Sequence, residues 1–83
     1  MKVSTRSAVI GKIVDEVERA SAKHPNWPED IVYAAAIVAE ESGELIRAAV
    51  QHEMESEFGC IEEVTKEAVQ TAATCIRLLE HLL

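Results

Sequence analysis

The sequence predicts an all-α fold, a bundle of about three helices per chain completed by association with further copies. Three observations lead there. Apolar residues recur at helical spacing in three stretches. Two breaks separate those stretches, one rich in proline and one polar and ending in glycine. The last stretch is apolar around most of its circumference, which calls for cover on more than one side. At 83 residues the chain is expected to be one domain spanning 1–83. A lone domain of this size buries only about 60% of its unfolded surface and is marginal by itself.

The first helix is predicted over about 5–22. Ile10, Ile13, Val14, Val17 and Ala20 form one apolar stripe. Lys12 with Glu16, and Asp15 with Arg19, are opposite charges four residues apart and read as solvated-face pairs. The run Lys23-His24-Pro25-Asn26-Trp27-Pro28 then interrupts the pattern, because each proline disfavours helical geometry at the residue before it.

A second helix is expected over about 28–52, with Pro28 in its first turn and Glu29 and Asp30 near its positive end. It is rich in alanine (Ala34, Ala35, Ala36, Ala39, Ala48, Ala49), which favours helix and lets backbones approach. Gly43 in its interior costs roughly 1 kcal/mol relative to alanine and points to a kink or a close approach. Residues 53–59 read as a link. The third helix spans about 61–82, and from Ala68 to Leu79 only Gln70, Thr71, Thr74 and Arg77 interrupt its apolar or small residues.

Composition excludes several classes. Fifteen acidic residues face eight basic ones, with no basic stripe and three aromatics, Trp27, Tyr33 and Phe58. Direct nucleic-acid binding, which needs cationic phosphate contacts, is not expected. The apolar run from Ile31 to Ala39 is far shorter than the ~20 residues of a spanning helix. Lys12 and Asp15 interrupt the early apolar residues too soon for a signal peptide. The expectation is a cytoplasmic protein with Cys60 and Cys75 as free, small core residues. No Cys/His set has zinc-ligand spacing, and Ser42 lacks an adjacent base that would make it a nucleophile.

The position of the acids is more telling than their number. Glu44 lies three and four residues from Glu41 and Glu40, on a helical face shared with Ile37 and Ala48. Like charges so spaced destabilise a helix, and two unit charges 4 Å apart near a surface repel by about 4 kcal/mol before salt and relaxation act. Glu67 and Gln70 make a second pair on the third helix, in a stretch otherwise starved of charge. Both sets meet if the helices pack antiparallel through the link. Their oxygens are the hard ligands magnesium prefers, with manganese a possible substitute. The bland alternative is a solvated acidic face.

The block Ala39-Glu40-Glu41-Ser42-Gly43-Glu44-Leu45, followed by Lys66-Glu67-Ala68-Val69-Gln70-Thr71-Ala72-Ala73, resembles the MazG-like all-alpha NTP pyrophosphatase superfamily. That pattern is an ExxE on one helix and an ExxD on the next. Glu41 and Glu44 match the first motif, and Glu67 opens the second; the resemblance covers about residues 27–82. It implies magnesium-dependent hydrolysis of a nucleoside triphosphate, NTP or dNTP, to the monophosphate and pyrophosphate. By the same resemblance the metal is held by Glu41, Glu44, Glu67 and Gln70, with Glu40 a further ligand or a water-orienting base. Family members assemble as dimers or tetramers.

One departure stands out: the family's aspartate is Gln70 here, which offers an amide oxygen without negative charge. The alternative is therefore a weakened or non-catalytic relative, a helical module binding nucleotide or a protein partner through its acidic face. Arg47, Lys66 and Arg77 are the basic candidates for gripping phosphate. Trp27 either stacks on a nucleobase or covers the helix ends, and His24 beside it either contacts base or phosphate or is a plain loop residue. His52 and His81 sit near helix C-termini, where a partly cationic imidazole suits the dipole.

Overall fold

The computed structural model describes residues 2–55, 57 and 59–83, with side chains from residue 5 onward. Its first element, α1, runs Lys2–Lys23, starting earlier than the apolar stripe requires. The His24 amide donates to the Ala20 carbonyl at 2.7 Å, closing its last turn before Pro25 stops it. The second helix, α2, is Ile31–Met54 and differs from expectation at both ends. Asp30 is its N-cap: one carboxylate oxygen accepts from the amides of Val32 at 2.9 Å and Tyr33 at 3.4 Å. Pro28 and Glu29 therefore precede the helix instead of forming its first turn, because a capping carboxylate satisfies amides that proline cannot. Glu53 and Met54, good helix formers, extend the far end two residues into the predicted link. The third helix, α3, is Ile61–Leu82, as the periodicity predicts, with Glu62 and Glu63 in its first turn.

These three helices make an all-α fold with α3 in the middle. Both α1 and α2 pack on it, and among the described residues α1 and α2 have no close backbone approach of their own. Contacts at the two ends fix the directions. Arg77 of α3 reaches His24, just past the end of α1, while Lys12 and Glu62 line one groove near the opposite end. So α1 and α3 run parallel, and α2, joined to α3 by a short link, runs against both. At that link Gly59 lies so close to the backbone of Gln51 and His52 that a Cβ there has no room.

The core is small. Among the described residues Val17, Ala34, Ala48 and Ala73 are buried, and three of these four are alanines. Fully burying a Val, Leu or Ile side chain contributes about 1.5–3 kcal/mol, and alanine contributes less. The chain measures 40 × 32 × 19 Å, with a radius of gyration of 14.1 Å where a domain of this length averages roughly 12 Å. It is a slab rather than a ball.

Apolar residues left in the open lie mainly on α1 and α2. Val9, Ile10 and Val14 are exposed on the first, and Val32, Ile46, Val50 and Met54 on the second. The expectation that α3 is the uncovered helix is therefore corrected: its central position gives it two neighbours, leaving Ile61, Leu79 and Leu82 exposed toward its ends. The helix α2 runs unbroken through Gly43, and a Cβ added there would meet nothing within 4 Å from the rest of its own chain. Gly43 shares a helical face with Val32, Ile46 and Val50, on the side of α2 away from α3. Both cysteines are exposed rather than core. Cys75 is two positions from buried Ala73 and so falls on the far side of its helix, and Cys60 sits at the mouth of α3. No described helix is long and apolar enough to cross a membrane.

Candidate functional site

Seven residues make nearly two helical turns, so Ala34, Glu41 and Ala48 fall on one line of α2. The two alanines are buried against α3, and Glu41 between them is carried partly into the same layer. That position pushes its carboxyl pKa above the ordinary value. Burial, which disfavours the charged form, is the main cause; repulsion from Glu44, Glu67, Glu40 and Glu16 adds to it. Glu41 Oε2 and Glu67 Oε1 are both buried and have no hydrogen-bond partner.

Above α3, between α1 and α2, lies a cleft of about 500 Å³. Gln70, Thr74 and Arg77 form its floor, spaced four and three residues apart on one helical face. Tyr33, Ile37, Glu40 and Glu41 make one wall, and Glu16, Arg19 and Ala20 the other. The proline-bound segment closes one end with His24 and Trp27. There the Arg77 guanidinium lies over the Trp27 ring, 4.9 Å from its centroid, and donates to the His24 carbonyl at 2.6 Å. The Trp27 indole N–H is buried without a partner.

The sequence-predicted residues thus divide. His24, Trp27, Glu40, Glu41, Gln70 and Arg77 share the cleft. Glu44 and Glu67 act on Glu41 through charge without lining it, Glu44 being exposed and Glu67 half-buried. Lys66 belongs to a shallower groove on the other side of Glu16, with its Nζ 4.0 Å from Glu63. Arg47 is exposed on α2 outside both. Although four carboxylates influence Glu41, among the described residues no three His, Cys, Asp or Glu side chains converge closely enough to hold a metal. The influence is that of charge at a distance, and the available donors are two unpartnered oxygens and the Gln70 amide.

Two residues of the cleft read differently in the sequence. Arg19 pairs with Glu16, not Asp15: its Nε donates to Oε1 at 3.0 Å and a terminal nitrogen to Oε2 at 2.6 Å. The longer glutamate side chain meets the guanidinium fork with both oxygens. Those hydrogen bonds chiefly hold the Glu16 pKa below its ordinary value, against an opposing effect of burial and helped by the charges of Arg19 and Lys66. The signal was available: Ile13, Glu16 and Ala20 are three and four residues apart, which puts an acid at the margin of the apolar stripe.

Comparison with known proteins finds no matching family model, curated protein or solved structure. The likeness to MazG-type enzymes rests on the motif residues alone.

Proposed function

We propose that the chain is a magnesium-dependent nucleoside triphosphate pyrophosphohydrolase, releasing a monophosphate and pyrophosphate. The observation that carries this reading is the pair of buried, unpartnered oxygens on Glu41 and Glu67, beside a cleft of about 500 Å³. Small-molecule sites typically span roughly 300–1,000 Å³. An unpartnered buried carboxylate is costly, and a divalent cation is the partner its chemistry favours.

The donor chemistry fits magnesium or manganese, and the missing third carboxylate is no bar, since magnesium keeps several waters and takes substrate phosphates. Glu41 and Glu67 would hold the ion, with the Gln70 amide completing the protein's share and Glu44 adding only the attraction of its charge. When bound, the ion neutralises phosphate charge and makes water a better nucleophile. Glu40, on the cleft wall, orients that water and accepts its proton. The base lies toward Trp27 and His24, and Arg77 holds that end of the cleft in shape.

The reading includes self-association, for which the surface of α2 is the support. An apolar strip on α2, with Gly43 in its midst, faces away from the chain's own core. A homodimer or homotetramer covers it, and a cytoplasmic setting suits the exposed free thiols.

Gln70, together with the lack of three converging carboxylates among the described residues, favours one other reading: a module that binds nucleotide or a protein partner without turnover. Incubation with a panel of NTPs and dNTPs plus magnesium separates the two. Monophosphate and pyrophosphate, lost in Glu41→Gln, are expected. Turnover that survives Glu41→Gln would count decisively against this site, and binding without turnover would favour the module.

A further inference from the structure

We propose that Arg19 grips the phosphate tail of the substrate and that Glu16 holds its place until substrate arrives. The inference rests on the hydrolase reading above and adds a residue to it. Two of the cleft's walls carry acids, Glu16 on one and Glu40 and Glu41 on the other. A triphosphate entering between them needs cationic partners for the charge that a metal leaves uncovered.

Arg19 and Arg77 are the cationic side chains that line the cleft among the described residues. They differ in freedom. Arg77 lies over Trp27 and donates to the His24 carbonyl, 53 positions away in sequence, so it holds the end of the cleft together. Arg19 makes both of its side-chain hydrogen bonds to Glu16, one turn away on its own helix. Its side chain is 55% exposed, while that of Glu16 is 17% exposed. The guanidinium is therefore free to turn without disturbing contacts between helices.

The form of the pair points the same way. A guanidinium meeting two carboxylate oxygens side by side uses the same fork with which arginine takes phosphate. The pair lies within one helix and its Arg19 end is exposed, so exchanging the carboxylate for a phosphate breaks no contact between helices. Because Glu16 and the phosphate compete for one set of donors, removing the Glu16 charge and removing Arg19 have opposite effects on phosphate binding.

Titration calorimetry with inorganic triphosphate, in saturating magnesium, tests this on the full chain without a base to confuse the result. Arg19→Gln is expected to weaken triphosphate binding about tenfold. Glu16→Gln is expected to tighten it by about threefold, as the competing carboxylate is gone. With nucleotide, Arg19→Gln should raise KM more than it lowers kcat. Triphosphate affinity unchanged in Arg19→Gln, or lowered alike in both variants as for a purely structural pair, overturns the inference while leaving the hydrolase reading intact. A wild-type chain that binds neither magnesium nor triphosphate overturns both.

Discussion

Glu41 and Glu67, on neighbouring antiparallel helices, each bury one carboxylate oxygen with no hydrogen-bond partner, and the charge of Glu67 helps raise the pKa of Glu41. Two acids placed so work against folding unless something positive lies with them. That tension has measurable consequences.

Its first consequence is a pH dependence in the metal-free protein. A carboxyl whose folded pKa lies above its unfolded one stabilises the fold below the unfolded pKa. That contribution is lost as pH rises through the folded pKa. Glu41 is such a group. In chelator, Glu41→Gln should therefore raise stability at neutral pH, a gain that shrinks as the medium is acidified. Thermal unfolding across pH measures it. Glu16, with its pKa lowered, acts in the opposite sense: its contribution is present above the unfolded pKa and fades as pH falls through the folded one.

Gln70 supplies an oxygen to the cleft but no charge. Gln70→Asp should tighten magnesium binding about tenfold and raise turnover, while lowering the melting temperature in chelator, since a further acid joins an acidic site. Parallel melts and product assays read both effects. A variant more stable without metal and no more active would remove Gln70 from the site.

At the turn between α2 and α3, Gly59 is held against the backbone of Gln51 and His52. Because backbone cannot move aside as a side-chain tip can, Gly59→Ala should destabilise the protein by about 1–3 kcal/mol. Urea unfolding provides the comparison. A neutral result would mean that the hairpin closes less tightly than described.

The outer strip of α2 bears on assembly. Ile46 is 63% exposed in the single chain and lies on the face that carries Gly43. If copies join through this strip, Ile46→Glu should weaken self-association at least about tenfold while leaving helix content unchanged. Sedimentation over a range of concentrations would detect the change. An unaltered association state would move the contact elsewhere.

Much of this was legible in the sequence, for physical reasons. Both ends of α3 follow from its apolar period and from Gly59 before it. The limits of α2 were less plain, because Pro28 and Asp30 each suit a helix start and the capping carboxylate decides between them. The acids of α2 could be read from their spacing. The burial of Glu41 could not, since it depends on which line of α2 meets α3. Arg19 was hidden behind an ordinary-looking pair: four-residue spacing favours Asp15, whereas reach and fork geometry favour Glu16. Cys75 was misread as core because a helix apolar all round does not announce which side its neighbours take.

The central claim is that a divalent cation lies between α2 and α3, held by Glu41 and Glu67. Manganese titration followed by electron paramagnetic resonance tests it without relying on turnover. Saturable binding to the wild-type chain is expected, weakened about tenfold or more in both Glu41→Gln and Glu67→Gln while helix content stays intact. Wild-type protein that leaves manganese free in solution, or variants that bind it as well as wild type, would contradict the account.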